Sequence, residues 1–113
     1  MLSHEGLDAY QCSIEFFGLC ASFIDSFPRG HCTLSDQLKR ASLSIPLNIA
    51  EGAGRTKEPD KRRFFSMARG SALECAAILD ACFCLELLDQ KRVDGGKRLV
   101  TRVVSMLSRM CLP

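Results

Sequence analysis

The chain has 113 residues, 47% of them hydrophobic and 25% charged, with a formal net charge of +2. That length predicts a single domain over residues 1–113, and the balance is that of an ordinary soluble globular protein. A net charge so small excludes a strongly cationic chain, and the N-terminus lacks the basic-then-apolar run of a signal peptide.

The first helix is predicted from about Leu7 to Ser26, ended by Pro28 and Gly30. Leu7, Tyr10, Ile14, Phe17, Ala21 and Ile24 recur at three and four residues, with Phe16, Cys20, Phe23 and Phe27 as a second apolar stripe. Asp8, Gln11, Glu15, Gly18, Ser22 and Asp25 form the polar face. A double stripe requires more than one packing neighbour.

The second helix is expected from Thr33 or Ser35, where Thr33-x-x-Asp36 approximates a capping box, to Gly52–Gly54. Leu38, Ala41, Ile45 and Ile49 make one stripe, and Leu43, Leu47 and Ala50 another. Pro46 breaks the local rule: it removes a backbone donor and costs about 3 kcal/mol in a helix interior. The helix continues only with a kink there, with Ser42 and Ser44 serving the freed carbonyls.

The third helix, from about Pro59 to Leu88, is the longest. Lys61, Arg62 and Arg63 stand at its N-terminal end against the helix dipole, which points to an anionic partner or a nearby carboxylate. Past Phe64 its apolar residues face nearly every direction. Ser71–Leu88 raises the question of a membrane span, but Glu74, Asp80 and Glu86 interrupt it, at about 2.5–3.5 kcal/mol each at a bilayer centre. A buried helix in a protein without a membrane span follows. The fourth helix is expected to open after Asp94-Gly95-Gly96 and reach about Met110. Leu99, Val103, Met106 and Met110 form its main stripe, and Arg98, Arg102 and Arg109 line its outer side. Four helices with short connections predict an all-α, up-down-up-down four-helix bundle.

Charge is sorted along the chain. Residues 1–33 hold one base and four acids, 34–70 eight bases and four acids, 71–89 no base and four acids, and 90–113 six bases and one acid. The seven cysteines offer no CxxC and no cluster at metal-ligand spacing, so no metal or cofactor is expected. Reduced thiols in apolar stripes suit the cytoplasm. No GxSxG, P-loop or HExxH is present, and Gly52-Ala53-Gly54 follows a helix where a dinucleotide loop would follow a strand. The chain is read as non-enzymatic, with no catalytic residues.

One stretch threads polar groups through an apolar run: Ser44-Ile45-Pro46-Leu47-Asn48-Ile49-Ala50-Glu51-Gly52-Ala53-Gly54-Arg55. A second, Ala68-Arg69-Gly70-Ser71-Ala72-Leu73-Glu74, has the small residues for a close helix approach. Together they predict a polar cross-link between the second and third helices, with Asn48, Glu51 or Arg55 bonding to Arg69, Ser71 or Glu74.

These residues resemble the four-helix-bundle family of 23S rRNA intervening-sequence proteins, whose pattern is roughly SIPxNIAEGxGR followed by RFxxxARGSxxE. Ser44, Ile45, Pro46, Asn48, Ile49, Ala50, Glu51, Gly52, Gly54 and Arg55 meet the first half. Arg63, Phe64, Ala68, Arg69, Gly70, Ser71 and Glu74 meet the second. Lys57 departs from the serine that usually caps the third helix, leaving Thr56 or Pro59 to serve. The resemblance implies a homo-oligomer, in particular a homopentameric ring. It extends distantly to the accessory protein of diversity-generating retroelements, a basic oligomeric barrel that works with nucleic acid and a reverse transcriptase. RNA or DNA, and a nucleic-acid-processing protein, are the partners so implied.

From the residues themselves, two basic segments are the candidate nucleic-acid surface: Lys57, Lys61, Arg62 and Arg63, and Arg98, Arg102 and Arg109. Such ridges neutralise phosphates and release counterions, giving salt-sensitive binding. The competing reading is an oligomeric scaffold without nucleic acid. Self-association also follows from the third helix, since three partners in one chain cannot cover all its apolar directions.

Overall fold

The computed structural model describes residues 2–4 and 7–113. Four helices hold them: α1 (Asp8–Asp25), α2 (Cys32–Ala53), α3 (Glu58–Cys84) and α4 (Gln90–Met110). They stand around a square in which α1 packs on α2, α2 on α3, α3 on α4 and α4 on α1. The diagonal pairs bring no Cα atoms within 8 Å of each other and meet only through core side chains. The long dimension is 44 Å and the other two are 21 and 20 Å.

Between α2 and α3, Ser44 meets Ser71 and Lys61 reaches the Ala53 carbonyl. Between α3 and α4, Arg69 meets Ser108 and Lys97 meets Asp80. In both pairs numbering rises along one helix as it falls along the other.

Three boundaries differ from the periodicity. The apolar pattern of α3 runs on to Leu88, but the helix stops at Cys84 because Glu86 takes a left-handed φ of 61°. The Glu86 and Leu87 N–H groups then donate to the Phe83 and Cys82 carbonyls at 3.0 and 2.9 Å. This is a Schellman closure with glutamate where glycine is usual. α4 starts well before the expected glycines, because the Asp89 carboxylate accepts from the Arg92 N–H at 2.9 Å and caps it. Gly96 sits inside that helix since a Cβ would come 2.9 Å from Leu79 and 3.2 Å from Phe23. α2 opens at Cys32 after His31, with no side-chain cap, so the Thr33–Asp36 box does not form.

The core is built from one stripe of each helix. Phe16, Cys20 and Phe23 of α1 meet Leu38, Ile45 and Ile49 of α2, Ala72, Cys75 and Leu79 of α3, and Val100, Val103 and Leu107 of α4. Burying each of the valine, leucine, isoleucine and phenylalanine side chains among them contributes about 1.5–3 kcal/mol. The other stripes fare differently: in α1 the stripe of Phe16, Cys20 and Phe23 enters the core, while the stripe that holds Ile14 is turned outward. Ile14, Leu43, Leu47 and Leu73 are exposed, because a square bundle buries one face per helix and half-buries its flanks.

α2 runs unbroken through the buried Pro46. The Ser42 hydroxyl donates to the Leu38 carbonyl at 2.7 Å and the Ser44 hydroxyl to Ala41 at 2.9 Å, so neither reaches the Ser42 carbonyl that Pro46 deprives of its donor, and the expected service of that group does not appear. The Asn48 amide donates to the Ser44 carbonyl at 2.9 Å. Among the described residues no helix is long and apolar enough to cross a membrane.

Candidate nucleic-acid interface

The expected charged cross-link between α2 and α3 takes another form. Arg55 pairs with Glu51 of its own segment at 3.2 Å, and both side chains are exposed. Arg69 turns the other way and donates to Ser108 of α4 at 2.7 Å. Glu74 is exposed on the outer side of α3. In place of that cross-link stands the neutral Ser44–Ser71 hydroxyl pair, with Asn48 one turn away. The physical reason is desolvation: backbones this close leave room for two hydroxyls, whereas a buried ion pair requires several further bonds to repay its lost hydration.

The close approach comes from Gly52. A Cβ there would lie 2.7 Å from the Phe65 ring and 3.1 Å from the Phe64 Cβ. Beside it the α3 N-terminus gathers bases. Lys57 occupies the cap position without a capping side chain, and Pro59 follows in the first turn. Glu58 and Asp60 sit in that turn and offset the dipole's repulsion of the bases. Lys61 is spent structurally, donating to the Ala53 carbonyl at 3.1 Å. Arg63 lies 3.8 Å from Asp60, while Arg62 is half-buried. Sequence reasoning placed Arg55 in the cross-link, yet the fold brings it here: its guanidinium carbon lies 4.7 Å from the Phe64 centroid, and that of Arg63 lies 4.4 Å away.

The second basic segment stays on one line. Arg98, Arg102 and Arg109 are exposed and fall within about 40° of one another around the helix. None of them forms an ion pair among the described residues. Glu15 lines the same shallow groove as Arg98 and Arg102 without closing on either. Lys91 is the residue that sequence reasoning missed. Seven residues before Arg98, it extends the ridge to about 27 Å. Its spacing was the available signal, hidden because the helix was expected to begin after Gly96.

The outer face of α3 presents Ser66, Met67, Gly70, Leu73, Glu74, Ala77, Ala81 and Cys84, all exposed. Glu74 is the one charge among them, and Met67 and Leu73 are 47% and 46% accessible. All seven cysteines are unpaired. Burial pushes the Cys75 thiol up to about 12, with the Glu74 charge adding to the shift. Burial raises Cys20 as well, with Cys75 adding to the shift and the neighbouring Ser42 hydroxyl opposing it. Such thiols are inert hydrophobes. Among the described residues no group of three or more His, Cys, Asp or Glu side chains could hold a metal.

Residues 5–109 match a family model described as 23S rRNA-intervening sequence protein. A crystal structure described as a protein of unknown function from the S23 ribosomal protein family of Bacteroides thetaiotaomicron VPI-5482 has a TM-score of 0.86 and 18% identity. The similarity covers 93% of this chain and 99% of that one. At that identity the likeness speaks for the fold. No curated protein matches the chain.

Proposed function

The chain belongs to the 23S rRNA-intervening sequence protein family, and from that premise we propose a non-enzymatic protein that binds RNA or DNA through the α4 ridge. The observation that carries this reading is the line of Lys91, Arg98, Arg102 and Arg109, exposed and without an ion pair among the described residues. A cationic line about 27 Å long on a rigid helix suits contacts with successive phosphates. The absence of an exposed aromatic row along it favours backbone contact over base stacking.

The same reading takes the subunit as an up-down-up-down bundle, bent at Pro46, and as one member of a ring-like homo-oligomer. The opposed numbering of neighbouring helices supports the bundle sense, and the nearly uncharged outer face of α3 supports self-association. The family resemblance points to five copies. Repetition around a ring turns a net charge of +2 per chain into a strong local field. A nucleic-acid-processing protein is the further partner in this reading, and seven unpaired cysteines suit a reducing cytoplasm.

Fluorescence anisotropy with labelled RNA and DNA across a salt series tests the ridge. Lys91→Gln, Arg98→Gln, Arg102→Gln and Arg109→Gln together should weaken binding and flatten the salt slope by about 0.7–0.9 for each phosphate no longer neutralised. Unchanged affinity and slope would remove the ridge from the interface. The α3 outer face also favours a second reading, an oligomeric scaffold without nucleic acid. That reading gains if the wild type assembles in sedimentation yet binds no nucleic acid at low salt. A stable monomer sinks both the ring and the amplified-charge argument.

A further inference from the structure

Two arginines from different elements converge on one aromatic ring at the corner between α2 and α3. Arg55 arrives from the connection after α2, Arg63 from the first turns of α3, and Phe64 lies half-buried beneath them. Gly52 makes the convergence possible, since its missing Cβ lets the Phe64 stem approach the α2 backbone. Lys61 braces the corner by holding the last α2 carbonyl.

We propose that Arg55, Phe64 and Arg63 form a preorganised clamp for two phosphates of the bound nucleic acid, with Phe64 as its positioning residue. The proposal rests on the nucleic-acid reading above and adds a second contact region to it. A guanidinium laid against a ring keeps its N–H edges for bidentate phosphate contact, and its side chain is already ordered. The distances to the shared ring put the two guanidinium carbons within about 9 Å of each other, in reach of neighbouring phosphates on one strand. Glu51 and Asp60 hold the two guanidiniums through exposed ion pairs. Pairs of that kind are worth about 0–1 kcal/mol, so a phosphate exchanges with the carboxylate at small cost. Lys57 and Arg62 form no ion pair among the described residues and add to the attracting field.

The test is anisotropy of a 20-nucleotide single-stranded RNA with the full chain and its variants, each checked for helicity. Phe64→Leu should weaken binding about five- to tenfold with an unchanged salt slope, because every charge is kept while the stack is removed. Phe64→Tyr should restore wild-type affinity. Arg55→Gln with Arg63→Gln should lower the slope by about 1.4, the value for two single-strand phosphate contacts. Arg55→Gln alone, an exposed change, carries the test where Phe64→Leu lowers the helical signal, and should cost about half that slope. If these variants bind like wild type while the α4 variant loses binding, the clamp is refuted and the nucleic-acid reading stands. If wild type binds no RNA at low salt, the clamp falls together with that reading.

Discussion

Gly52→Ala isolates the contact that brings α2 and α3 together. In an open helix the change would stabilise by about 1 kcal/mol, because alanine is the better helix former. Here the new Cβ would stand 2.7 and 2.9 Å from two Phe65 ring carbons and 3.1 Å from the Phe64 Cβ. Phe65 is 8% exposed and packed in the core, so its ring has no free direction in which to yield. Overpacking of this kind costs about 1–3 kcal/mol and outweighs the propensity gain. The expected net effect is a loss of up to about 2 kcal/mol, or up to about 8 °C in Tm for a domain of this size. Gly95→Ala is the internal control: it also lies within a helix, but nothing comes within 4 Å of its added Cβ. Urea unfolding followed by circular dichroism at one fixed protein concentration should give opposite signs for the two variants. A Gly52→Ala protein as stable as Gly95→Ala would refute the claim that this glycine sets the α2–α3 distance.

Arg69→Ala should cost about 1.5–3 kcal/mol, since it removes a charged hydrogen bond to Ser108, whereas Glu51→Ala should stay within about 1 kcal/mol because its ion pair is exposed. Equal losses in thermal melts would restore the charged cross-link expected from sequence. Stability should also fall on the alkaline side. The folded-state pKa of Cys75 is raised by burial to about 12, so its contribution is complete below about pH 8.5, where the unfolded thiol is protonated. It declines as pH rises from there to about 12, at up to about 1.4 kcal/mol per pH unit. Urea midpoints at pH 7.5, 9 and 10 should fall less steeply for Cys75→Ala, and an identical slope would argue against a thiol held neutral by burial.

The four helices were legible because their evidence is local. Leu38, Ala41, Ile45 and Ile49 repeat at helical spacing and are all buried, and Arg98, Arg102 and Arg109 share an outer face because 3.6 residues per turn require it. Family membership was likewise legible in two contiguous motifs. Which of two apolar stripes enters the core was not, since Leu43 and Leu47 look as apolar as Ile45 and Ile49 until neighbouring helices are in place. The end of α3 and the start of α4 were decided by non-periodic groups, a left-handed Glu86 and an Asp89 cap. Pairing of polar side chains depended most on the tertiary structure. The sequence set Arg69, Ser71, Glu51 and Arg55 near one junction, but rotation about each helix axis sent Arg69 to α4, left Ser71 to meet Ser44, and laid Arg55 against Phe64. Periodicity determines which residues share a face. The direction in which that face points is set by close packing at Gly52 and Gly96, where the presence or absence of a single methyl group fixes how near two helices can come.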